Sequence, residues 1–166
     1  MISKGQRESV SGFVERARAT SAKILTGGGV PKGFERGYYY EPTVIDCASP
    51  EVASVQEELF GPVLSVLTFR TEDEAVALAN DTKYGLASGV FTRNLARAHR
   101  MTRRIRAGIV WVNTYRVISP QMPFGGYGMS GYGREAGAES IHDYLRTKSV
   151  WINTSDTPIA DPFVMR

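Results

Sequence analysis

The order of apolar and polar positions divides this chain into short elements. Ser3 followed by Gln6 forms a capping-box pattern, and Val10, Phe13, Val14 and Ala17 recur at helical spacing, so a helix is predicted from about Lys4 to Ala22. Ile24-Leu25-Thr26 reads as a short strand closed by Gly27-Gly28-Gly29, whose plain reading is a connection. Tyr38 to Ile45 is rich in aromatic and β-branched residues but holds Pro42, which cannot donate to a ladder and points to an edge or irregular strand. Between Val55 and Val66, Glu57, Glu58, Phe60 and Gly61-Pro62 precede an apolar run. Pro62 removes a backbone donor and biases Gly61 toward extended backbone, so Glu58 and Phe60 are expected on a rigid, irregular loop that can aim side chains. On chemistry alone the same stretch reads equally as a solvated acidic turn with a buried Phe60.

From Val63 onward the pattern becomes regular. Val63 to Phe69 is an apolar strand, and Thr71 caps a helix with Glu74 as its box partner and Ala75, Val76, Leu78 and Ala79 inward. A strand near Leu86 to Phe91 follows, then a helix from Asn94 with Leu95, Ala98, Met101 and Ile105 inward, then a strand from Ile109 to Val112. This β-α-β-α-β alternation predicts an α/β fold with parallel strands and flanking helices, with ligands outside the carboxyl ends of the strands near Arg70, Thr92 and Asn113. The long connection from Thr114 to about Arg134 is too rich in glycine and proline for regular structure, and its length marks it as functional. Glu135 to His142 is a candidate short helix. Tyr144 to Ile152 reads as an exposed strand, with Val150 and Trp151 available to a partner from another subunit, and the tail from Thr154 is expected to be irregular.

Composition narrows the classes. The 166 residues, 42% hydrophobic and 22% charged, describe one soluble globular unit. The formal charge of +3 is mildly basic, and only Arg103-Arg104-Ile105-Arg106 clusters. Such a cluster suits a helix end, where cations meet the negative pole of the helix dipole, better than a nucleic-acid footprint, which needs basic residues on one face with stacking aromatics between them. No apolar run has the length of a membrane span, and a single cysteine allows no internal disulfide framework, so a cytoplasmic protein without a membrane partner is expected.

Several residues invite chemistry and are weaker than they look. Gly126-Tyr127-Gly128-Met129-Ser130-Gly131 matches G-x-G-x-x-G by letter, but the dinucleotide fingerprint must follow a strand directly, open a helix and place an acid about twenty residues on. Here the preceding strand ends at Val112 and Trp151 stands where the acid would be. Cys47 has Asp46, Ser49 and Glu51 as neighbours, none of them a positive charge that would favour the thiolate. His99 and His142 lack a second ligand at metal spacing, so no metal site is expected.

Glu57-Glu58-Leu59-Phe60-Gly61-Pro62-Val63 resembles the aldehyde dehydrogenase superfamily. Three further stretches match in order: Asn80-Asp81-Thr82-Lys83-Tyr84-Gly85-Leu86-Ala87, then Gly108-Ile109-Val110-Trp111-Val112-Asn113, then Pro123-Phe124-Gly125-Gly126 with Ser130-Gly131-Tyr132-Gly133-Arg134-Glu135. The resemblance runs from about Ile2 to Asn153 and corresponds to the C-terminal portion of a family member. It implies a partial catalytic domain over 1–143, an oligomerisation strand over 144–153 and an irregular tail over 154–166.

In the family a cysteine thiolate attacks an aldehyde, hydride passes to NAD or NADP, and water activated by a glutamate releases the carboxylic acid. By the resemblance, the nucleophile, that glutamate, the oxyanion-stabilising asparagine and most of the dinucleotide fold lie upstream of this chain, and Cys47 aligns with none of them. No catalytic residue is therefore expected here; the chain alone is expected to be inactive and to bind cofactor weakly or not at all. What the resemblance does assign is Glu58 to the hydroxyls of the nicotinamide ribose, Phe60 to packing near the nicotinamide, Phe124 to a wall of the substrate pocket, and Ile118 and Ser119 to positions that vary with substrate. Family members commonly carry lysine where this chain has Gly128. Two readings follow: part of an NAD(P)+-dependent aldehyde dehydrogenase that forms homo-oligomers, or a non-enzymatic assembly module that binds itself or a longer relative.

Overall fold

The computed structural model describes residues 1–34, 36–157, 161 and 163. Its first helix, α1 (Lys4–Arg18), opens as the capping box predicts, with the Ser3 hydroxyl accepting from the Gln6 amide. It stops at Arg18 rather than continuing to Ala22, because the Thr20 hydroxyl donates to the Ala17 carbonyl and accepts from the Ala22 amide, turning the chain. Val10, Phe13, Val14 and Ala17 are buried, as their spacing requires.

Strands β1 (Lys23–Thr26) and β2 (Thr43–Asp46) pair antiparallel, and β2 pairs parallel with β3 (Val63–Val66). The predicted strand from Tyr38 thus shortens to begin after Pro42. The Thr43 side chain secures the start of β2: its hydroxyl donates to the Glu41 carbonyl and accepts from the Gly28 amide of the glycine turn. The first core packs Val10, Val14 and Ala17 of α1 against Tyr40, Ile45, Cys47 and Val52. A single turn, α2 (Ala53–Gln56), lies beside it.

The second half is α3 (Glu72–Asn80), β4 (Ala87–Val90), α4 (Leu95–Arg104) and β5 (Ile109–Val112), with β4 and β5 parallel in full register. Its core is Val76, Val90, Met101 and Ile105. Leu95, expected inward, is 73% exposed, because it is the first residue of α4, while Ala79 is exposed toward a cleft. Thr71 caps as predicted, and Asn94, expected to start the next helix, is its cap. Glu74 does not close the box on Thr71; its carboxylate accepts from the Arg70 amide at 2.7 Å.

The alternation of strands and helices is the α/β arrangement expected, but the strands form two sheets, β1-β2-β3 and β4-β5, in place of one. Among the described residues β3 and β4 do not pair, so each leaves one edge open. Within the second half, Glu72 of α3 receives Arg97 and Arg100 of α4, Arg100 through two contacts of 2.8 Å, and Arg104 meets Asp73 at 2.7 Å. The two guanidinium groups hold the Glu72 carboxyl down at about 2. The predicted helix at Glu135 to His142 is a 3₁₀ helix shifted to Ala138–Tyr144, beginning after Gly137 at φ 69°. From Leu145 to Asn153 the chain is exposed and pairs with no described strand, and the tail residues 158–160, 162 and 164–166 lie outside the described residues.

Candidate functional site

The loop between α2 and β3 carries Glu58 and Phe60, and the side chains of Gln56 and Gln6 fix it. Gln56 Nε2 donates to the carbonyls of Pro50 (3.0 Å) and Asp81 (2.9 Å), tying the start of the loop to the segment after α3. From α1, Gln6 Nε2 donates to the carbonyls of Leu59 (3.0 Å) and Phe60 (3.1 Å). Phe60 sits at φ 53°, a left-handed conformation that costs a non-glycine residue roughly 1–3 kcal/mol and persists only where neighbours enforce it. Its ring is 80% exposed, so the buried phenylalanine of the plain reading is not found.

Glu58 lines an open cleft of about 660 Å³ with Ala79, Tyr84, Leu86, Arg106 and Met129. The cleft is where the recognisable stretches meet. Asn80 spans two of its walls, donating to the Arg104 carbonyl at 2.9 Å and accepting from the Arg106 amide at 2.8 Å. The Gly85 carbonyl accepts from Gly108 (3.0 Å) and Tyr127 (2.9 Å), and the Gly85 amide donates to Ser130 Oγ at 3.0 Å. Neither Gln6 nor Asn80 was singled out for this role from sequence. Gln6 carries a visible signal only as a helix-capping residue, and its target lies 53 residues away.

The site departs from expectation in its place. Leu86 and Ala87 open β4 and Arg106 and Ala107 precede β5, so the Glu58 cleft faces the amino ends of these strands rather than their carboxyl ends. The reason is chain order, since the Glu58 loop enters β3 and does not leave it. At the carboxyl ends a second cavity of about 430 Å³ lies among Phe69, Arg70, Thr71, Phe91 and Thr92. Phe124 exchanges backbone hydrogen bonds of 2.7 Å with Glu135 and lines a separate cavity of about 280 Å³ with Tyr132, Arg134 and Asp143. The Phe124 and Glu58 cavities share Leu86 and Ser130. Ile118 is 62% exposed and Ser119 half-buried, on the connection that Trp111 anchors by donating Nε1–H to the Val117 carbonyl at 2.8 Å. The structure thus groups Glu58 with residues of two other recognisable stretches, Thr82 and Tyr84 to Ala87 of one and Ser130 of the other, but Phe60, Phe124, Ile118 and Ser119 do not line its cleft.

Asn113 ends β5 at φ 55°, and its side chain pairs with the backbone of Thr92, accepting from the amide at 2.8 Å and donating to the carbonyl at 2.9 Å. The glycine-rich segment is a 3₁₀ turn, Gly128–Ser130, in which Met129 donates to the Lys83 carbonyl, Ser130 to that of Tyr127 and Gly131 to that of Gly128. Gly128 itself has φ 57°, and a Cβ there would stand 2.5 Å from the Lys83 carbonyl oxygen. Cys47 is buried at 3% exposure beside Ser54 Oγ, and Ser54 in turn accepts from Ser65. Among the described residues no three His, Cys, Asp or Glu side chains gather as a metal site, and no helix is long and apolar enough to cross a membrane.

The order and spacing of these stretches match the aldehyde dehydrogenase family over residues 1–150. The chain belongs to the aldehyde dehydrogenase family. A dehydrogenase of (Z)-2-((N-methylformamido)methylene)-5-hydroxybutyrolactone from Acinetobacter baylyi is 60% identical over 162 residues, 97% of this chain and 33% of that protein. A betaine aldehyde dehydrogenase from Brucella anthropi is 44% identical over 154 residues, 92% of this chain and 32% of its own. Among solved aldehyde dehydrogenase structures, a double mutant of the Staphylococcus aureus betaine aldehyde dehydrogenase in complex with NAD+ superposes with a TM-score of 0.91 at 38% identity, covering 100% of this chain and 33% of that one. An NAD+ complex from Bacillus cereus gives 0.87 at 39% identity, over 93% and 31%. The chain therefore spans about a third of the length of the relatives it matches.

Proposed function

We propose that this chain is the C-terminal part of the catalytic domain of an NAD(P)+-dependent aldehyde dehydrogenase acting in the cytoplasm, with Glu58 and Phe60 as its contribution to cofactor binding and 144–153 as a strand that pairs between subunits. The observation that carries the reading is the loop itself: Glu58 at a cleft and, two residues on, an exposed aromatic, on backbone that the side chains of Gln6 and Gln56 immobilise. Folding offers no reason to keep Phe60 in the left-handed region with its ring in solvent. The donor set suits a nicotinamide cofactor. The Glu58 carboxylate is engaged by no ion pair among the described residues and can accept from two ribose hydroxyls, while the Phe60 ring is free to limit movement of a planar ring. When bound, the cofactor supplies the hydride acceptor; the residues named here hold and orient it.

The same features support inactivity of the chain alone. Its one cysteine is buried beside Ser54 and Ile45, where an aldehyde carbon has no approach. The open edges of β3 and β4, with Leu64, Phe69 and Phe91 each more than half exposed, are surfaces that further chain would cover. Phe124, Ile118 and Ser119 then belong to the aldehyde side of the complete site, with the substrate set largely by residues outside this chain.

The test has two arms. The purified 166-residue chain, its intact mass verified, is assayed for aldehyde oxidation with NAD+ and NADP+; turnover by it would overturn the claim of inactivity. A hybrid in which this chain replaces the matching third of the Acinetobacter relative should oxidise that enzyme's substrate, and Glu58→Gln in the hybrid should raise the cofactor KM about tenfold, on the order of one charge-assisted hydrogen bond. An unchanged cofactor KM would remove Glu58 from the site. Exposure of Val150, Trp151 and Ile152 also favours self-association as a reading in its own right, which light scattering of the isolated chain addresses.

A further inference from the structure

We propose that Gln6 is a positioning residue for the Glu58–Phe60 loop, acting through the backbone that follows Glu58; this rests on the reading that the loop belongs to the cofactor site. One amide nitrogen donates to two consecutive carbonyls, Leu59 O at 3.0 Å and Phe60 O at 3.1 Å. Those carbonyls belong to the peptide units on either side of Phe60, so the two contacts together fix the φ and ψ of the residue that sits in the left-handed region. The neighbouring contact is equally close: a Cβ on Gly61 would stand 2.6 Å from Val10 Cγ2 and 3.4 Å from Met1 Cε, so α1 lies directly against the loop. Gln6 stands at the third helical position, where its backbone amide already serves the Ser3 cap, leaving the side chain free for another task. Helix initiation does not need this side chain to reach 53 residues along the chain, and the far ends of both contacts lie on the two residues that follow Glu58.

Hydrogen exchange of the intact 166-residue chain separates this role from simple support of the fold. Gln6→Ala removes the side chain, whereas Gln6→Glu keeps its shape and suits the first helical turn but cannot donate. In both variants exchange within 57–63 should rise about tenfold, while exchange in the β1–β2 ladder stays within about twofold of wild type. In the hybrid enzyme Gln6→Glu should raise the cofactor KM about fivefold with kcat little changed; loss of folded enzyme alone would lower apparent kcat and leave KM in place. Wild-type exchange at 57–63 in either variant, an equal rise in the β1–β2 ladder, or an unchanged cofactor KM with Glu58→Gln still effective would overturn the proposal. Because exchange is read without cofactor, it stands apart from the site reading, which fails separately if Glu58→Gln leaves the cofactor KM unchanged.

Discussion

The seat of the loop on α1 can be tested through volume. Gly61 does not occupy the left-handed region, so alanine is tolerated by the backbone, and by restricting the unfolded chain Gly61→Ala would ordinarily stabilise by about 0.4–1 kcal/mol. The new Cβ, however, would lie 2.6 Å from Val10 Cγ2 and 3.2 Å from Val10 Cγ1, and Val10 is fully buried against Val14 and Ile45 in the first core. Overpacking of that kind costs about 1–3 kcal/mol, so the sign should reverse and the variant should be less stable than wild type. Val10→Ala alone removes two buried methyl groups, about 1.6 kcal/mol of transfer plus a cavity term, for roughly 2–3 kcal/mol in all. In the double variant the alanine at 61 enters the space that Val10 vacates, and the two losses should fall short of their sum by about 1–2 kcal/mol. Urea unfolding followed by circular dichroism measures all four corners, a 2 kcal/mol loss moving the midpoint by about 1 M. Additivity within about 0.5 kcal/mol would refute the claimed contact, and a stabilised Gly61→Ala would refute it outright.

Other expectations follow from features of both halves. The Glu72 carboxyl, held at about 2 against an ordinary 4.5, contributes stability that is present above pH 4.5 and lost as pH falls toward 2; Glu72→Gln should remove that component, so that the acid limb of the urea midpoint between pH 5 and 2 is shallower than in wild type. Ile45→Ala, at a fully buried position, should cost about 2–5 kcal/mol by the same unfolding measurement. Gly128→Ala should cost about 1–3 kcal/mol, because φ 57° and the Lys83 carbonyl both oppose a side chain there, and a wild-type midpoint would show that the turn rearranges freely. Ending the chain after Tyr144 should abolish any dimer seen by light scattering without lowering the unfolding midpoint, since 145–153 pairs with no described strand.

The helices were legible in the sequence because their signals are local. Ser3, Thr71 and Asn94 cap within three residues of themselves, and the buried face of α1 follows directly from its periodicity. Strand existence was legible and strand pairing was not. Nothing within Val63–Val66 or Ala87–Val90 says that their neighbours in the sheet are β2 and β5 and that the two do not meet. The irregular loop that carries Glu58 and Phe60 was legible through Gly61-Pro62, but the conformation of Phe60 was not, since αL at an aromatic depends on Gln6 and Val10, both from a helix 50 residues earlier. The arrangement of cavities was hidden for the same reason. Phe124 lies in the same recognisable stretch as Ser130, which lines the Glu58 cleft, yet Phe124 pairs its backbone with Glu135 and lines a different cavity.

Asn113 bears on how such a chain changes over time. Its side-chain amide presents a donor and an acceptor to Thr92 in the way a strand residue's backbone would, adding a last rung to the β4–β5 ladder after the backbone has swung away at φ 55°. Thr92 is therefore served without any help from residue 114 or beyond. Insertions, deletions or substitutions between Thr114 and Pro123 can reshape the segment that holds Ile118 and Ser119 while the sheet beneath it keeps its register, so under the proposed function substrate contacts and folding would be written in separate stretches divided by one asparagine.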